Sequence, residues 1–338
     1  MTKSRKNKLL SNRKLPENGT TGGNKFKILA GITGIAILLV ALFLWQFWAS
    51  APVFDGENAF RHIEKQCAFG ARVPGSSAHQ QCGDFLVDEF GKYADRVQQQ
   101  PFTHLDRRDT ATVFAGRNII ASFNLQPERG YRIMLAAHWD SRPFADKDPD
   151  SSLHNQPVPG ANDGASGVAV LLEMARILNT HPLDFGVDIV LFDLEDIGDY
   201  GAALDSDSLN GFCLGSQYFA ETMDSYRPKY GVLLDMIGDA DLRIPREGYS
   251  QSNAGNVMQM IWQAAKAVNA TAFVDEIGES VVDDHVPFLQ RGIRVVDLID
   301  FDYPYWHTTA DTPDKCSAQS LQQVGDVLVH LLYQIENK

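Results

Sequence analysis

From residue 52 to its end, the chain alternates short apolar runs with amphipathic stretches. Runs with the length and β-branched content of strands lie at 118–123, 132–137, 187–192, 231–237 and 294–299. Stretches with the apolar spacing of helices lie at 59–67, 78–93, 165–179, 216–223, 254–269 and 317–335. Strands that are apolar throughout and separated by helices are typical of a sheet buried on both faces. The pattern therefore predicts an α/β fold, with a mostly parallel mixed central sheet flanked by helices on both faces.

The first 50 residues follow a different pattern. Residues 1–27 hold eight basic side chains and one acid, Glu17, with almost nothing to bury, so we expect a disordered tail. Residues 28–49 are uncharged and nearly all apolar, and about 20 such residues cross a bilayer. Because a basic tail precedes it, this segment is predicted to be a transmembrane signal anchor that leaves the tail in the cytoplasm. A cleaved signal peptide ending near Ala49-Ser50-Ala51 is the alternative.

Residues 52–338 are then expected to form a single catalytic domain on the periplasmic side of the inner membrane. The chain has a formal net charge of −13 and its tail contributes +7, which leaves about −20 for this domain. A surface that acidic repels phosphate groups. A nucleic-acid partner is therefore not expected.

The chain has four cysteines: Cys67, Cys82, Cys213 and Cys316. Export permits disulfide bonds, and Cys67 and Cys82 are the favoured pair because they flank one loop. Four buried thiols are the alternative. None of the spacings is that of a cysteine metal site.

Polar side chains follow the predicted strands at the points where they end. The strand ending near residue 137 leads to His138 and Asp140, and the strand ending at residue 192 leads to Glu195 and Asp196. Later strands lead to Asp235 and, through a longer loop, to His307. Ligands of α/β proteins bind beyond the carboxyl ends of the strands, and zinc accepts histidine nitrogen and carboxylate oxygen. The sequence therefore predicts a zinc site at this edge, with a carboxylate such as Glu195 available as a general base.

The motifs that contain these residues are HWDSRP (138–143), GANDGASG (160–167), FDLED (192–196), LDMIG (234–238), DDHVPF (283–288) and WHT (306–308). In order and spacing, over residues 58–335, the chain resembles the zinc aminopeptidase family. Within that family it is most similar to the glutaminyl-peptide cyclotransferases, and CLGSQY (213–218) resembles the bacterial ones in particular.

The resemblance implies a role for each matching residue. Asp163, Asp196 and His307 would hold one zinc ion, and Glu195 would be the catalytic acid and base. His138 and Asp235 match the ligands of a second metal in the two-zinc aminopeptidases. In the cyclases the Asp235 position acts in catalysis, the Asp284 position forms hydrogen bonds near the acid/base, and Trp306 and Trp139 are expected to contact the substrate. One departure is that the animal cyclases have two glutamates where this chain has Glu195 and Asp196.

The resemblance implies three candidate functions. The favoured one is cyclisation of an N-terminal glutamine to pyroglutamate with release of ammonia, which needs one zinc ion. The alternative is hydrolysis of N-terminal residues by a two-zinc aminopeptidase, and a non-catalytic relative such as a receptor ectodomain is third. The expected partners are the N-termini of peptides or proteins and, through the anchor, the membrane.

Overall fold

The computed structural model describes residues 52–106, 112–198 and 209–336. The predicted tail (1–27) and anchor (28–49) lie outside these residues. Within the described residues, no helix combines the length and the apolar character needed to cross a membrane.

The central sheet has six strands in the order β1-β2-β4-β3-β5-β8. These strands are β1 (Arg96–Leu105), β2 (Val113–Phe123), β3 (Arg132–His138), β4 (Gly186–Phe192), β5 (Gly231–Asp235) and β8 (Val295–Ile299). β4, β3, β5 and β8 run parallel, whereas β1 and β2 are antiparallel to their neighbours. Between β5 and β8, β6 (Ile244–Arg246) pairs with β7 (Phe273–Ile277) in a separate two-stranded sheet. The prediction of a mixed, mostly parallel sheet is confirmed.

Helices cover both faces of the sheet. Those described are α1 (Gly56–Cys67), α2 (Ser77–Phe90), α3 (Ala165–Thr180), α4 (Leu214–Thr222), α5 (Gly248–Val268), α6 (Val286–Leu289) and α7 (Ala318–His330). Side chains along a strand alternate between faces. Ile133 and Leu135 of β3 accordingly belong to the larger core with α1, α2, α3, α5 and α7, and Met134 belongs to the smaller core with Phe219 of α4 and Phe288 of α6.

The helix ends follow local rules. Asp55, Ser76 and Ser317 accept hydrogen bonds from backbone N–H groups at the starts of α1, α2 and α7, as N-cap residues do.

Gly167 in α3 permits a close approach of this helix to the sheet, because a Cβ atom there would lie 2.3 Å from the carbonyl oxygen of Leu234. Helix α3 therefore packs directly across β5.

The cysteines do not form the disulfide bond that the sequence favoured. All four are free thiols; Cys67 is half-buried and the other three are buried. The structure thus contains no Cys67–Cys82 bond and agrees with the alternative of four packed thiols. Burial raises the pKa of the Cys82 thiol to about 11, which keeps it protonated at neutral pH.

Candidate metal centre and active site

The predicted site residues meet at the carboxyl ends of the parallel strands. His138 ends β3, Asp235 ends β5, and Glu195 and Asp196 lie in the turn after β4. The backbone at this edge is unusual, because the non-glycine residues Leu194, Met236 and His307 have φ angles of 58°, 47° and 55°. Such left-handed residues are uncommon and cluster at functional sites. Leu194 and Met236 turn the chain just after β4 and β5, and His307 lies in the loop that follows β8.

Asp163, Asp196 and His307 form a buried group whose ligand atoms lie within 4.8 Å of one another. The Nε2 atom of His307 is 3.6 Å from Oδ2 of Asp163 and 3.3 Å from Oδ2 of Asp196. Both of those carboxylate oxygens are buried without a hydrogen-bond partner. Buried polar atoms without partners are rare in native proteins unless an ion or water satisfies them. Two carboxylates and one imidazole that converge in this way fit a zinc ion.

His138 and Asp235 extend this group from the other side of Asp163. The Nε2 atom of His138 lies 3.1 Å from Oδ1 of Asp163 and 3.1 Å from Oδ1 of Asp235. Asp163 therefore presents one oxygen to each histidine, as a carboxylate that bridges two metal ions would. The same distances also suit hydrogen bonds between an imidazole and two carboxylates.

Two further carboxylates, to which the sequence assigned no role, hold the ligand loops in place. Asp311 accepts hydrogen bonds from the backbone N–H groups of Asn162 (2.9 Å) and Asp163 (3.1 Å). Asp140 accepts them from Glu195 (3.1 Å) and Asp196 (3.3 Å). Asp140 belongs to the HWDSRP motif, so its motif pointed towards it, whereas Asp311 follows no strand and carries no such signal.

The ion pair between Arg142 and Asp146 contacts two of the candidate metal ligands. The Arg142 guanidinium donates to Oδ1 of Asp196 (3.0 Å) and to Asp146 (2.8 Å). An oxygen of Asp146 also lies 3.4 Å from Nδ1 of His307. Metal-bound histidines usually have a carboxylate at their second nitrogen, which fixes the ring orientation. Asp146 and Arg142 therefore orient His307 and Asp196.

The carboxyl groups around Glu195 are buried together. Burial, followed by the charge of Asp196, raises the pKa of Glu195 well above its usual range. Burial and the charge of Asp283 raise the pKa of Asp235 to about 7 and that of Asp284 well above normal. Several acids that resist ionisation near one point can hold and exchange protons at neutral pH.

The two tryptophans that were expected to contact substrate lie in different environments. Trp306 is half-buried beside the metal-ligand group, with its ring centroid 4.1 Å from that of His307. Trp139 is fully buried and stacks on His79 at 4.2 Å, and its indole N–H donates to the backbone of Arg117. Trp139 thus packs in the core between α2 and the sheet. Because its side chain is fully buried there, the structure does not support the expected contact between Trp139 and the substrate.

A mostly parallel sheet with carboxylates and histidines gathered beyond its carboxyl ends defines a zinc-exopeptidase-like fold. The chain belongs to Peptidase family M28, whose model matches residues 118–332. Enzymes of this family are zinc-dependent.

Solved structures similar to this chain include both cyclases and an aminopeptidase. Glutaminyl cyclase of Bacteroides thetaiotaomicron, bound to N-acetylhistamine, is 34% identical with a TM-score of 0.79, and the match covers 84% of this chain and 99% of that one. A leucine aminopeptidase precursor of the same bacterium is 35% identical with a TM-score of 0.79, and the match covers 84% and 98%. The predicted resemblance to bacterial glutaminyl cyclases is confirmed, and aminopeptidases resemble the chain equally.

A curated relative is also named as an aminopeptidase. Aminopeptidase YwaD of Bacillus subtilis is 27% identical over 217 residues, which make up 61% of this chain and 41% of YwaD. The chain therefore spans less than half the length of that relative.

Proposed function

We propose that the chain is a zinc-dependent glutaminyl-peptide cyclotransferase, which converts an N-terminal glutamine to pyroglutamate and releases ammonia. The observation that carries the proposal is the position of Trp306, which is half-buried and in ring contact with His307 beside the metal-ligand group. Cyclisation is intramolecular, so the pocket must chiefly hold the glutamine side chain folded back on its own amine. A flat aromatic wall next to the metal ligands suits that task.

The residues present account for the proton transfers of this reaction. The α-amine attacks the γ-amide carbon, so that a carbon–nitrogen bond forms and the bond to the amide nitrogen breaks. Glu195 takes a proton from the attacking amine and returns it to the departing nitrogen, which leaves as ammonia. The raised pKa of Glu195 suits a group that must hold a proton between these steps.

Asp163, Asp196 and His307 are the residues that would hold the metal. When bound there, zinc supplies a Lewis acid that polarises the γ-carbonyl oxygen of glutamine. Arg142 and Asp146 keep two of these ligands oriented towards the ion. Asp235 and Asp284, whose carboxyl groups resist ionisation, would accept or donate hydrogen bonds beside Glu195.

A two-zinc aminopeptidase is the second candidate, and the shared position of Asp163 favours it. This residue faces His138 with one oxygen and His307 with the other, as a bridging ligand would. In that enzyme Glu195 would deprotonate a water molecule that attacks the peptide bond. The leucine aminopeptidase precursor of similar fold supports this alternative.

The reaction products distinguish the two candidates. The full chain, purified in detergent, is incubated with a glutamine-initiated dipeptide and separately with a leucine-initiated one, and ammonia and free amino acids are measured in parallel. We expect ammonia from the glutamine substrate only, abolished by a chelator. Glu195→Gln should lower kcat by about a hundredfold or more, the usual contribution of a general base. Glu64→Gln, an exposed change on α1, should leave it unchanged.

Free amino acid without pyroglutamate would instead assign the chain to the aminopeptidases.

We also propose that the catalytic domain faces the periplasm and is tethered to the inner membrane by residues 28–49. The composition of those residues and of the basic tail supports this location.

A further inference from the structure

A buried polar cluster beneath the active site has no part in the reaction described above. Its members are Glu247, Ser250, His285 and Asp297, and none of them is more than 1% exposed. Burying charged groups is costly unless they are paired or held by hydrogen bonds. The cluster therefore calls for a physical account of its own.

Glu247 is an unusual start for a helix. It is the N-cap of α5, where Ser, Thr, Asp or Asn is preferred, and it accepts hydrogen bonds from the N–H groups of Tyr249 (2.8 Å) and Ser250 (2.6 Å). Because glutamate is one methylene longer than aspartate, its carboxylate can also reach a second segment of the chain. Its Oε1 atom also accepts a hydrogen bond from the N–H of Val281 at 3.0 Å, so one carboxylate ties the helix start to a loop 34 residues later.

The same carboxylate closes a ring of contacts. Oε2 of Glu247 lies 3.2 Å from Nε2 of His285, and Nδ1 of His285 lies 3.7 Å from Oδ2 of Asp297 on β8. The backbone N–H of Asp297 in turn donates to Oγ of Ser250 at 3.0 Å. The ring therefore joins α5, β8 and His285, the N-cap residue just before α6.

The loop that this ring holds, residues 281–285, carries Asp283 and Asp284. Asp283 offers an oxygen within 4.8 Å of ligand atoms of His285 and Asp297 on one side, and of Glu195 and Cys213 on the other. Among the described residues, Asp283 alone belongs to both groups. It therefore connects the buried ring to Glu195, the candidate catalytic base.

We propose that Glu247 is a positioning residue, which acts through Val281 and His285 to hold Asp283 and Asp284 against Glu195. The proposal rests on the assignment of Glu195 as the general base, and it applies to the cyclase and the aminopeptidase alike. Backbone contacts support the same junction, because the N–H of Gly248 donates to the carbonyl of Glu279 at 2.8 Å. A Cβ atom at position 248 would lie 2.2 Å from Oγ of Ser280, so the two segments are in direct contact.

Shortening the side chain separates its two tasks. Glu247→Asp keeps a good N-cap and the negative charge, but it is one methylene too short to serve both α5 and the loop. We expect kcat to fall about tenfold to a hundredfold, as a displacement of about 1 Å near a reacting group can cause. KM should change less than about threefold, since substrate contacts remain. Glu247→Gln, which keeps the length, should retain more of kcat than Glu247→Asp.

Asp55→Ala is the matched control, because it removes an acidic N-cap from α1. It should lower the thermal unfolding temperature, as loss of an N-cap does, and leave kcat unchanged. Bound zinc is measured in every variant. Wild-type kcat in Glu247→Asp would overturn the proposal, and so would a loss of kcat that parallels the loss of zinc.

Hydrogen exchange by mass spectrometry gives a readout that is independent of turnover. In Glu247→Asp the peptide containing residues 281–286 should exchange about tenfold faster than in the wild type, because its anchoring hydrogen bond is lost. Unchanged exchange would overturn the proposal. If the wild type acts on neither dipeptide, the proposed function fails, and the exchange result still decides whether Glu247 holds this loop.

Discussion

The Nε2 atom of His138 lies 3.1 Å from Oδ1 of Asp235, and both groups are close to the metal-ligand carboxylates. Two ligands of one tetrahedral zinc ion lie about 3.3 Å apart, given zinc–ligand bonds of about 2.0 Å. Burial lowers the pKa of His138, but the neighbouring carboxylates of Asp140, Asp163 and Asp235 outweigh it and raise the pKa well above normal. The separation of His138 and Asp235 thus fits a shared proton as well as a shared metal ion.

Metal content tests this arrangement. We expect the wild type to bind one zinc ion per chain, His307→Ala to lose it, and His138→Ala to keep it. His181→Ala, at the end of α3, controls for the removal of a histidine away from the site. Zinc is quantified by mass spectrometry after dialysis. Two ions in the wild type, with one lost in His138→Ala, would identify a two-zinc enzyme and contradict the cyclase proposal.

Trp306 should determine how well the folded-back glutamine is held. Trp306→Ala removes the wall beside His307, so kcat/KM for a glutamine-initiated dipeptide is expected to fall about tenfold to a hundredfold, whereas Trp306→Phe should retain most of it. Steady-state ammonia release measures both. The matched control is Trp262→Phe, since Trp262 packs on Phe273 in the two-stranded-sheet region. Equal kcat/KM in wild type and Trp306→Ala would remove the main support for a substrate contact here.

Asp300 should make stability depend on pH. Burial, opposed by a hydrogen bond from the Arg243 backbone and assisted by the charge of Asp239, raises the pKa of Asp300 to about 6. An Asp carboxyl has a pKa of about 3.9 in the unfolded chain. When its pKa in the folded protein is higher, it does not lower the free energy of unfolding at pH values below about 3.9. It destabilises the fold increasingly as pH rises from about 4 to about 6, and by a constant amount above that, because over this range only the unfolded state ionises freely.

Asp300→Asn should therefore raise the unfolding temperature by several degrees at pH 7.5 and hardly at all at pH 4, as followed by circular dichroism. The exposed neighbour Asp302 offers the control Asp302→Asn, for which no such difference is expected. An equal shift at both pH values would show that ionisation of Asp300 is not responsible.

The N-terminal segment predicts a firmly bound membrane protein. In a Gram-negative host, the full chain should remain in the membrane fraction after an alkaline wash, and protease added to spheroplasts should digest it. Removal of residues 1–51 should release it. Recovery of soluble protein that begins near residue 52 would instead demonstrate a cleaved signal peptide.

The strands that the sequence did not predict are either mostly exposed or very short. β1 (Arg96–Leu105) is an edge strand in which Phe102 alone is well buried, so it lacks the apolar run that identified the others. β6 has only three residues, and in β7, as in β1, only one side chain (that of Phe273) is well buried. Helix α5 begins at Gly248, six residues before the predicted start, because Glu247 caps it and Ala254 bends it without ending it.

The motifs located most of the candidate site, but they could not orient it. Trp139 and Trp306 each adjoin a histidine in sequence, yet one ring is buried in the core and the other borders the metal-ligand group. Successive residues of a strand point to opposite faces, and only the course of the chain after the strand decides which residue reaches the site.

By itself, the sequence determined the parallel sheet, the places where its strands end and the identity of the candidate ligands, because apolar periodicity and motif spacing are local properties of the chain. Only the tertiary structure decided that Glu247 reaches Val281 and His285, that Asp311 supports Asp163 and that the cysteines remain thiols. Those contacts join residues up to 148 positions apart, and they arise from how helices and loops pack over the sheet, which no local pattern encodes.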